Sequence, residues 1–154
     1  SILSIIKYDK CPLNIYVLSM DYNDKKSVSS KTIKELDKLL KDTNKKSSIK
    51  LIDVLALFLA DTPTSNLNSP FTPYCMLRLY ADLLDDLPDK ILYLDNDVVA
   101  CKSIKEFYDI DNTKYEIAGA RDFYGKYFYS KNRIKKDYLN SGVLLLNLKL
   151  KWKF

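Results

Sequence analysis

The stretch KILYLDNDVV, residues 90–99, decides how the rest of the chain is interpreted. Apolar and aromatic residues run directly into Asp95, Asn96 and Asp97, and two valines follow. A short apolar run bounded by polar residues is typical of a buried strand in a parallel sheet that is covered on both faces. Because ligands of α/β sheets bind beyond the carboxyl ends of the strands, the polar triplet is a candidate site.

The two aspartates of this triplet point to a divalent cation. Side chains at positions i and i+2 of an extended segment face the same way, so the carboxylates of Asp95 and Asp97 are expected to converge. Two like charges held close together are costly unless a cation lies between them. Mg²⁺ and Mn²⁺ favour carboxylate oxygens, often one or two together with substrate phosphates. The residues predict a site for a divalent metal ion that binds a diphosphate. A polar turn without a ligand remains the alternative.

The composition narrows the class of protein. A chain of 154 residues with 47% apolar content suits one domain with a real core. Histidine is absent, which excludes histidine-based triads and general bases within this chain. The three cysteines are far apart and lack a CxxC spacing, so they are expected to be reduced core thiols of a cytosolic protein. The net charge of +5 suits an anionic ligand, a nucleic acid or an acidic membrane surface without choosing among them.

The apolar spacing predicts strands that alternate with helices. Helices are expected at about 1–8, 27–41, 72–84 and 103–108, and strands at 13–18, 49–54, 90–94, 115–120 and 138–147. Residues 123–138 are expected to form a loop rich in aromatics and lysines. The aspartates at 82, 85, 86 and 89 are expected to lie in a solvated helix end and turn. Such alternation indicates an α/β protein with a mostly parallel, Rossmann-like sheet flanked by helices.

Four sequence blocks carry a resemblance to a known family. They are YCMLRL at 74–79, KILYLDND at 90–97, AGARD at 118–122 and LNSGVLLLNL at 139–148. In this order they resemble glycosyltransferase family 8, the group of glycogenin and the lipopolysaccharide galactosyl- and glucosyltransferases, which has the GT-A fold. The resemblance implies that residues 1–154 form a single, partial GT-A domain.

The resemblance also implies an activity. A hexose is expected to pass from a UDP-sugar, UDP-glucose or UDP-galactose, to a glycan, lipid-linked or protein acceptor with retention, with Mn²⁺ or Mg²⁺ as cofactor. A metal that bridges the diphosphate would neutralise charge on the departing UDP. Lipopolysaccharide biosynthesis is the expected process. The expected location is the cytoplasm, with the inner face of the membrane as an alternative.

The family pattern assigns roles around the nucleotide. Asp95 and Asp97 match the metal-binding Asp-x-Asp motif, and Asn96 between them is expected near the ribose. Arg78 matches an arginine that contacts the donor, and its guanidinium can donate in a fork to phosphate or sugar oxygens. A helix-surface arginine paired with an aspartate is the alternative for that residue.

Further matches concern the transferred sugar. Asp122 and Asn140 match an aspartate and an asparagine that bind its hydroxyls, and we expect both to be catalytic. A helix cap or turn is the alternative for Asp122, whereas the amide of Asn140 offers donors and an acceptor. Ser141 and Gly142 would let the backbone approach the ligand closely. The aromatics at 124–129 are expected either to stack on an acceptor sugar or to be surface or interface residues.

The family pattern extends beyond this chain in both directions. The resemblance implies an earlier strand that holds uracil and ribose, and later an Asp-Gln-Asp-like block, a metal-binding histidine and a lysine for the diphosphate. Residues 1–154 contain none of these, so we expect full activity to require segments absent here. A catalytically incomplete fragment with a binding or structural role is one alternative. A basic nucleic-acid-binding module using residues 131–136 is disfavoured, because no nucleic-acid motif accompanies the charge.

Overall fold

The structure, a computed structural model, describes residues 1–62, 73–131 and 138–150. Contacts divide the chain into two compact units, Lys10–Leu87 and Ser1–Asp9 with Pro88–Phe154. The first contains strands β1 (Asn14–Ser19) and β2 (Ser48–Asp53) and is called the β1–β2 unit. The second contains β3 (Lys90–Leu94), β4 (Ile117–Arg121) and β5 (Leu139–Asn147) and is called the β3–β5 unit. The expectation of a single partial domain over residues 1–154 stays a prediction.

The β1–β2 unit contains the predicted strand, helix and strand. Strand β1 (Asn14–Ser19) pairs in parallel with β2 (Ser48–Asp53), and helix α2 (Ser30–Thr43) connects them. Helix α2 begins after Ser29, whose Oγ accepts a hydrogen bond from the backbone N–H of Thr32 at 3.1 Å. This side chain satisfies one of the amides that a helix start leaves unpaired. The sequence offers Ser29 or Ser30 as the cap of this helix, and the structure uses Ser29.

The core of the β1–β2 unit is formed around helix α3 (Leu55–Ala60), which the sequence did not predict as a helix. Met20, Val54 and Phe58 are completely buried. The Phe58 ring packs edge-on against Tyr22, with ring centroids 5.0 Å apart. Because Leu51–Ala60 is apolar almost throughout, its pattern did not mark where β2 ends and α3 begins.

The cysteines are not part of a core, since Cys11 and Cys101 are exposed and Cys75 is half-buried, so the expectation of core thiols is wrong.

The predicted helix after residue 72 is a 3₁₀ helix, Pro73–Leu83. Its inward face buries Leu77, Tyr80 and Ala81. Asp82 lies on the same face with only 6% of its surface exposed, so its interpretation as a solvated residue is wrong. The other three aspartates of the acidic run are exposed, as predicted.

The β3–β5 unit contains a three-stranded antiparallel sheet. Strand β5 (Leu139–Asn147) lies between β3 (Lys90–Leu94) and β4 (Ile117–Arg121) and pairs antiparallel with both. The α/β class is correct and the parallel direction holds for β1 and β2, but it is wrong for these three strands. An apolar run indicates a strand that contacts a core, but it does not report the direction of the neighbouring strand. The expected full burial is also wrong for β3, because all five of its residues are only partly buried.

Short helices complete the β3–β5 unit. Helices α1 (Ile2–Tyr8) and α4 (Lys105–Tyr108) lie where the sequence predicts them. Residues 123–131 form helix α5 (Phe123–Lys131), so the predicted loop is wrong there, and residues 132–137 lie outside the described part. The buried carboxylate of Asp9, after α1, accepts hydrogen bonds from the Ser103 hydroxyl and from the backbone N–H of Ile104, at the start of α4.

Within the described residues, every helix is too short or too polar to cross a membrane.

Candidate active site

The antiparallel register gathers the polar residues of the β3–β5 unit at one end of its sheet. Leu94, the last residue of β3, lies opposite Val143, and Arg121, the last residue of β4, lies opposite Leu139. The carboxyl ends of β3 and β4 therefore flank the amino end of β5. Three polar segments follow or begin these strands and meet at this end of the sheet: residues 95–97, Asp122 and residues 140–142.

Asp95 is held from several sides. Its backbone N–H donates to the carbonyl oxygen of Gly142 at 2.8 Å, and its Oδ1 accepts a hydrogen bond from the hydroxyl of Tyr93. A Cβ atom added to Gly142 would lie 2.9 Å from Asp95 Oδ2, closer than real Cβ contacts allow. The glycine thus permits the carboxylate to lie directly against β5.

Residues 95–98 form a turn. The N–H of Val98 donates to the carbonyl oxygen of Asp95 at 3.2 Å, and both Asn96 and Asp97 are exposed. The prediction of an extended backbone through Asp95 and Asp97 is therefore wrong, because β3 ends at Leu94, whereas convergence of their two carboxylates stays a prediction. The backbone takes the polar-turn alternative, and this turn exposes Asn96 and Asp97 beside a half-buried Asp95.

Strand β5 is irregular where the predicted sugar-binding residues lie. Gly119 pairs with Leu144 and Arg121 pairs with Leu139, so two steps along β4 span five steps along β5. The additional residues include Asn140, Ser141 and Gly142. Bulges of this kind bend a strand and redirect its side chains, and they are common beside active sites.

Within this bulge the amide of Asn140 has a defined orientation. Its Oδ1 accepts a hydrogen bond from the N–H of Gly142 at 3.0 Å. The Nδ2 group, which carries two donors, is therefore on the other side of the side-chain amide. Gly142 connects Asn140 to Asp95. Its N–H donates to Asn140 Oδ1, and its carbonyl oxygen accepts from the N–H of Asp95.

Asp122 caps helix α5. Its Oδ1 accepts hydrogen bonds from the N–H groups of Tyr124 at 2.9 Å and Gly125 at 3.0 Å, and its own N–H donates to the carbonyl of Tyr138 at 2.8 Å. This is the helix-cap role that the sequence left open. Contact of this carboxylate with sugar hydroxyls stays a prediction.

The structure places Arg78 in the β1–β2 unit, on the 3₁₀ helix. Its Nε donates to the carbonyl oxygen of Cys75 at 2.7 Å, so the backbone of the same helix orients the guanidinium. Its contact with the donor stays a prediction.

The donor set suits a cation that arrives with a diphosphate. Among the described residues, no three or more of His, Cys, Asp and Glu are grouped to hold a metal ion. Asp95 and Asp97 supply two carboxylates, and Mg²⁺-like ions are commonly held by one or two carboxylates plus substrate phosphates and water. The residues present therefore fit a nucleotide-borne divalent cation.

Helix α5 carries exposed aromatic side chains next to Asp122. Phe123 is 80% exposed, Tyr124 83% and Tyr127 68%. For Tyr124 and Tyr127, stacking on an acceptor sugar stays a prediction, and so does the alternative of surface or interface residues. The side chains of residues 128 and 129, and most of the 131–136 basic segment, lie outside the described part of the chain.

Comparison with solved structures identifies the fold. The galactosyltransferase LgtC, solved in complex with donor and acceptor sugar analogues, superposes with a TM-score of 0.67 and 20% identity. The superposition covers 89% of this chain and 58% of that one. The bifunctional glycosyltransferase WbbM, solved in the apo state, gives a TM-score of 0.67 and 20% identity over 95% of this chain and 28% of that one. The fold is part of a GT-A glycosyltransferase domain.

Sequence comparison identifies the family. The family model "Glycosyl transferase family 8" matches residues 1–153. A Haemophilus influenzae protein provisionally named a glycosyltransferase is 30% identical over 166 aligned residues, which cover 99% of this chain and 44% of the relative. Glycosyltransferase GlyA of Streptococcus pneumoniae is 37% identical over 59 residues, 38% of this chain and 8% of the relative. The chain belongs to glycosyl transferase family 8 and spans less than half the length of these curated relatives.

Proposed function

We propose that this protein transfers a hexose from UDP-glucose or UDP-galactose to a glycan, lipid-linked or protein acceptor, with retention and with Mn²⁺ or Mg²⁺ as cofactor. Family membership supports glycosyl transfer. The related fold of LgtC, which was solved with donor and acceptor sugar analogues, supports these two kinds of substrate. The observation that carries the proposal is the fixed carboxylate of Asp95, at the same sheet end as Asp97 and Asn140.

The carboxylates of Asp95 and Asp97 would hold the divalent cation of a metal–UDP-sugar complex. When bound, the cation would neutralise charge on the nucleotide diphosphate as it leaves. Asn96, exposed between the two carboxylates, would lie next to the ribose. The guanidinium of Arg78 would donate to phosphate or sugar oxygens.

The residues of β5 and of the α5 cap would bind the sugar. Because Gly142 occupies Asn140 Oδ1, the Nδ2 group would donate to a sugar hydroxyl. Asp122 uses Oδ1 for its helix cap, and a carboxylate retains further lone pairs that would accept from a hydroxyl. Ser141, exposed in the bulge, would line the same pocket. These contacts would orient the hexose for transfer.

Release of UDP from UDP-glucose and UDP-galactose tests the proposal. The 154-residue chain is incubated with each donor, with and without Mn²⁺, and UDP is quantified by chromatography. We expect slow Mn²⁺-dependent release, since full activity is expected to require segments outside residues 1–154. This release should fall about 100-fold or more in Asp95→Asn and Asp97→Asn, comparable to the removal of one charge-stabilising group from an active site. Asp111→Asn, an exposed aspartate of the β3–β5 unit away from the sheet end, is the control and should keep full release.

The same experiment separates the proposal from the incomplete-fragment alternative. Mn²⁺-dependent UDP binding that depends on Asp95 and Asp97, without release of UDP from either sugar donor, would support a fragment that binds the nucleotide only. Release that is unchanged in both variants, or that needs no divalent cation, would contradict the proposed function.

A further inference from the structure

The side chain of Tyr93 contacts Asp95, the proposed metal ligand. Tyr93 lies near the end of β3, where it pairs with Leu144 of β5, and its side chain is half-buried. Tyr93 precedes Asp95 by two positions and donates its hydroxyl to Asp95 Oδ1. This hydrogen bond links a residue of strand β3 to Asp95, the first residue of the exposed turn. The sheet therefore restrains the orientation of the carboxylate.

Tyr93 restricts rotation of the Asp95 carboxylate, and Gly142 leaves the space in which the carboxylate lies. The torsion that turns a carboxylate about its last carbon–carbon bond is broad and has little preference of its own. Here Oδ1 accepts the Tyr93 hydroxyl, while Oδ2 faces the Cα of Gly142, where an added Cβ would come within 2.9 Å. One oxygen is thus held by a hydrogen bond, and the other lies close to β5 in space that the glycine leaves open.

We propose that Tyr93 is a positioning residue that orients the Asp95 carboxylate for the divalent cation of the nucleotide-sugar complex. Each carboxylate oxygen has two lone pairs, so Oδ1 can accept the hydroxyl and still face a cation. Ligating carboxylates are usually hydrogen-bonded by outer groups, and loss of such a partner typically lowers metal affinity about 10–100-fold. The inference rests on the proposed function, because it assumes that Asp95 binds the cation.

The substitution Tyr93→Phe tests the inference, since it removes the hydroxyl and keeps the ring in the sheet. Tyr108→Phe is a matched control. The hydroxyl of Tyr108 donates to the carbonyl oxygen of Lys90 at 3.3 Å, at the opposite end of the same strand. Both variants lose one tyrosine hydroxyl bonded to β3 or its end, and only one of them loses a contact with the carboxylate.

Mn²⁺ is titrated into each chain in the presence of UDP, and binding is followed by paramagnetic broadening of the backbone amide signals of Asn96 and Gly142. Thermal unfolding without metal is recorded in parallel. We expect the Mn²⁺ dissociation constant of Tyr93→Phe to rise about 10-fold or more. The dissociation constant of Tyr108→Phe, and the unfolding temperatures of both variants without metal, should stay close to those of the unmodified chain.

Four outcomes would overturn the inference. Unchanged Mn²⁺ affinity in Tyr93→Phe would show that the hydroxyl does not position the ligand, and an equal loss in Tyr108→Phe would show a general effect on the strand. Failure of the unmodified chain to bind Mn²⁺ with UDP would overturn the proposed function as well. If Tyr93→Phe does not fold, Gly142→Ala perturbs the same carboxylate from its other side, and unchanged affinity there would also contradict the inference.

Discussion

The two units of the chain differ in which apolar side chains are buried and in where their polar side chains lie. In the β1–β2 unit, Met20, Val54 and Phe58 are fully buried in one aromatic and aliphatic cluster. In the β3–β5 unit, the apolar burial follows β5 at Leu144–Leu146, while carboxylates and amides collect at one sheet end. Packing and the proposed chemistry thus depend on different residues. Substitutions in the first unit should change stability, and substitutions at the sheet end should change ligand binding.

The largest stability effect is expected at Phe58. Phe58→Ala should lower the free energy of unfolding by about 3–5 kcal/mol, because a fully buried ring is replaced by a cavity. Phe123→Ala is the matched control in the β3–β5 unit, since that ring is 80% exposed, and its effect should stay within about 0.5 kcal/mol. Urea unfolding followed by circular dichroism measures both. Equal losses in the two variants would contradict the contrast between the units.

A next prediction concerns the sugar contact of Asn140. Asn140→Asp keeps the oxygen that accepts from Gly142 and removes the Nδ2 donors, so a sugar hydroxyl would lose its donor and meet a negative charge. The affinity for UDP-glucose or UDP-galactose with Mn²⁺ should fall about 10–100-fold, by analogy with the loss of one hydrogen bond of about 1–3 kcal/mol. UDP alone should bind as before. Calorimetric titration with each nucleotide measures these affinities. An equal loss of affinity for UDP would show that Asn140 contacts the nucleotide and not the sugar.

A smaller effect on Mn²⁺ affinity is expected at Gly142, and none is expected at Gly119. In Gly142→Ala the new methyl group would press on Asp95 Oδ2, so the affinity for Mn²⁺ with UDP should fall about 10-fold. In Gly119→Ala the methyl group would instead meet the Leu144 side chain at 3.0 Å, so stability should fall and Mn²⁺ affinity should not. Metal titration and thermal unfolding of both variants distinguish these results. A loss of metal affinity in Gly119→Ala alone would reverse the assignment.

The smallest effect concerns pH and the β1–β2 unit. Burial, together with the nearby charge of Asp61, raises the pKa of Tyr80 above its ordinary value of 10.0. A raised pKa in the folded state contributes stability below pH 10 that is lost as the pH rises from 10 through the folded-state pKa. The unmodified chain should therefore lose stability above pH 10 faster than Tyr80→Phe. Urea unfolding at pH 8, 10 and 11 measures the difference, and parallel pH profiles would contradict it.

The sequence predicted local features where one residue pattern has one structural solution. The apolar run Lys90–Leu94 is β3, Asp95 follows its end, and Ser29 caps α2. Helix α5 was missed because Phe123, Tyr124 and Tyr127 are exposed, so the segment has no continuous apolar face. Asp122, an aspartate immediately before this segment, was the available signal for a helix start.

Long-range geometry was less accessible to the sequence. The direction of β5 depends on pairing between segments about fifty residues apart, as Leu92 with Leu145 shows, and the apolar pattern of both strands is the same in either direction. The turn at Asp95–Val98 and the bulge at Asn140–Gly142 also depend on this pairing. The role of Tyr93 had only a spacing signal, two residues before an aspartate.

The central claim is that Asp95 and Asp97 together hold a cation that binds a diphosphate. A crystal structure of the chain with UDP and Mn²⁺ tests it most directly, because anomalous scattering locates the manganese. We expect one manganese peak within about 2.0–2.3 Å of a carboxylate oxygen of each aspartate and of the diphosphate. A manganese ion bound to UDP without either carboxylate, or UDP bound away from this end of the β3–β5 sheet, would contradict the account.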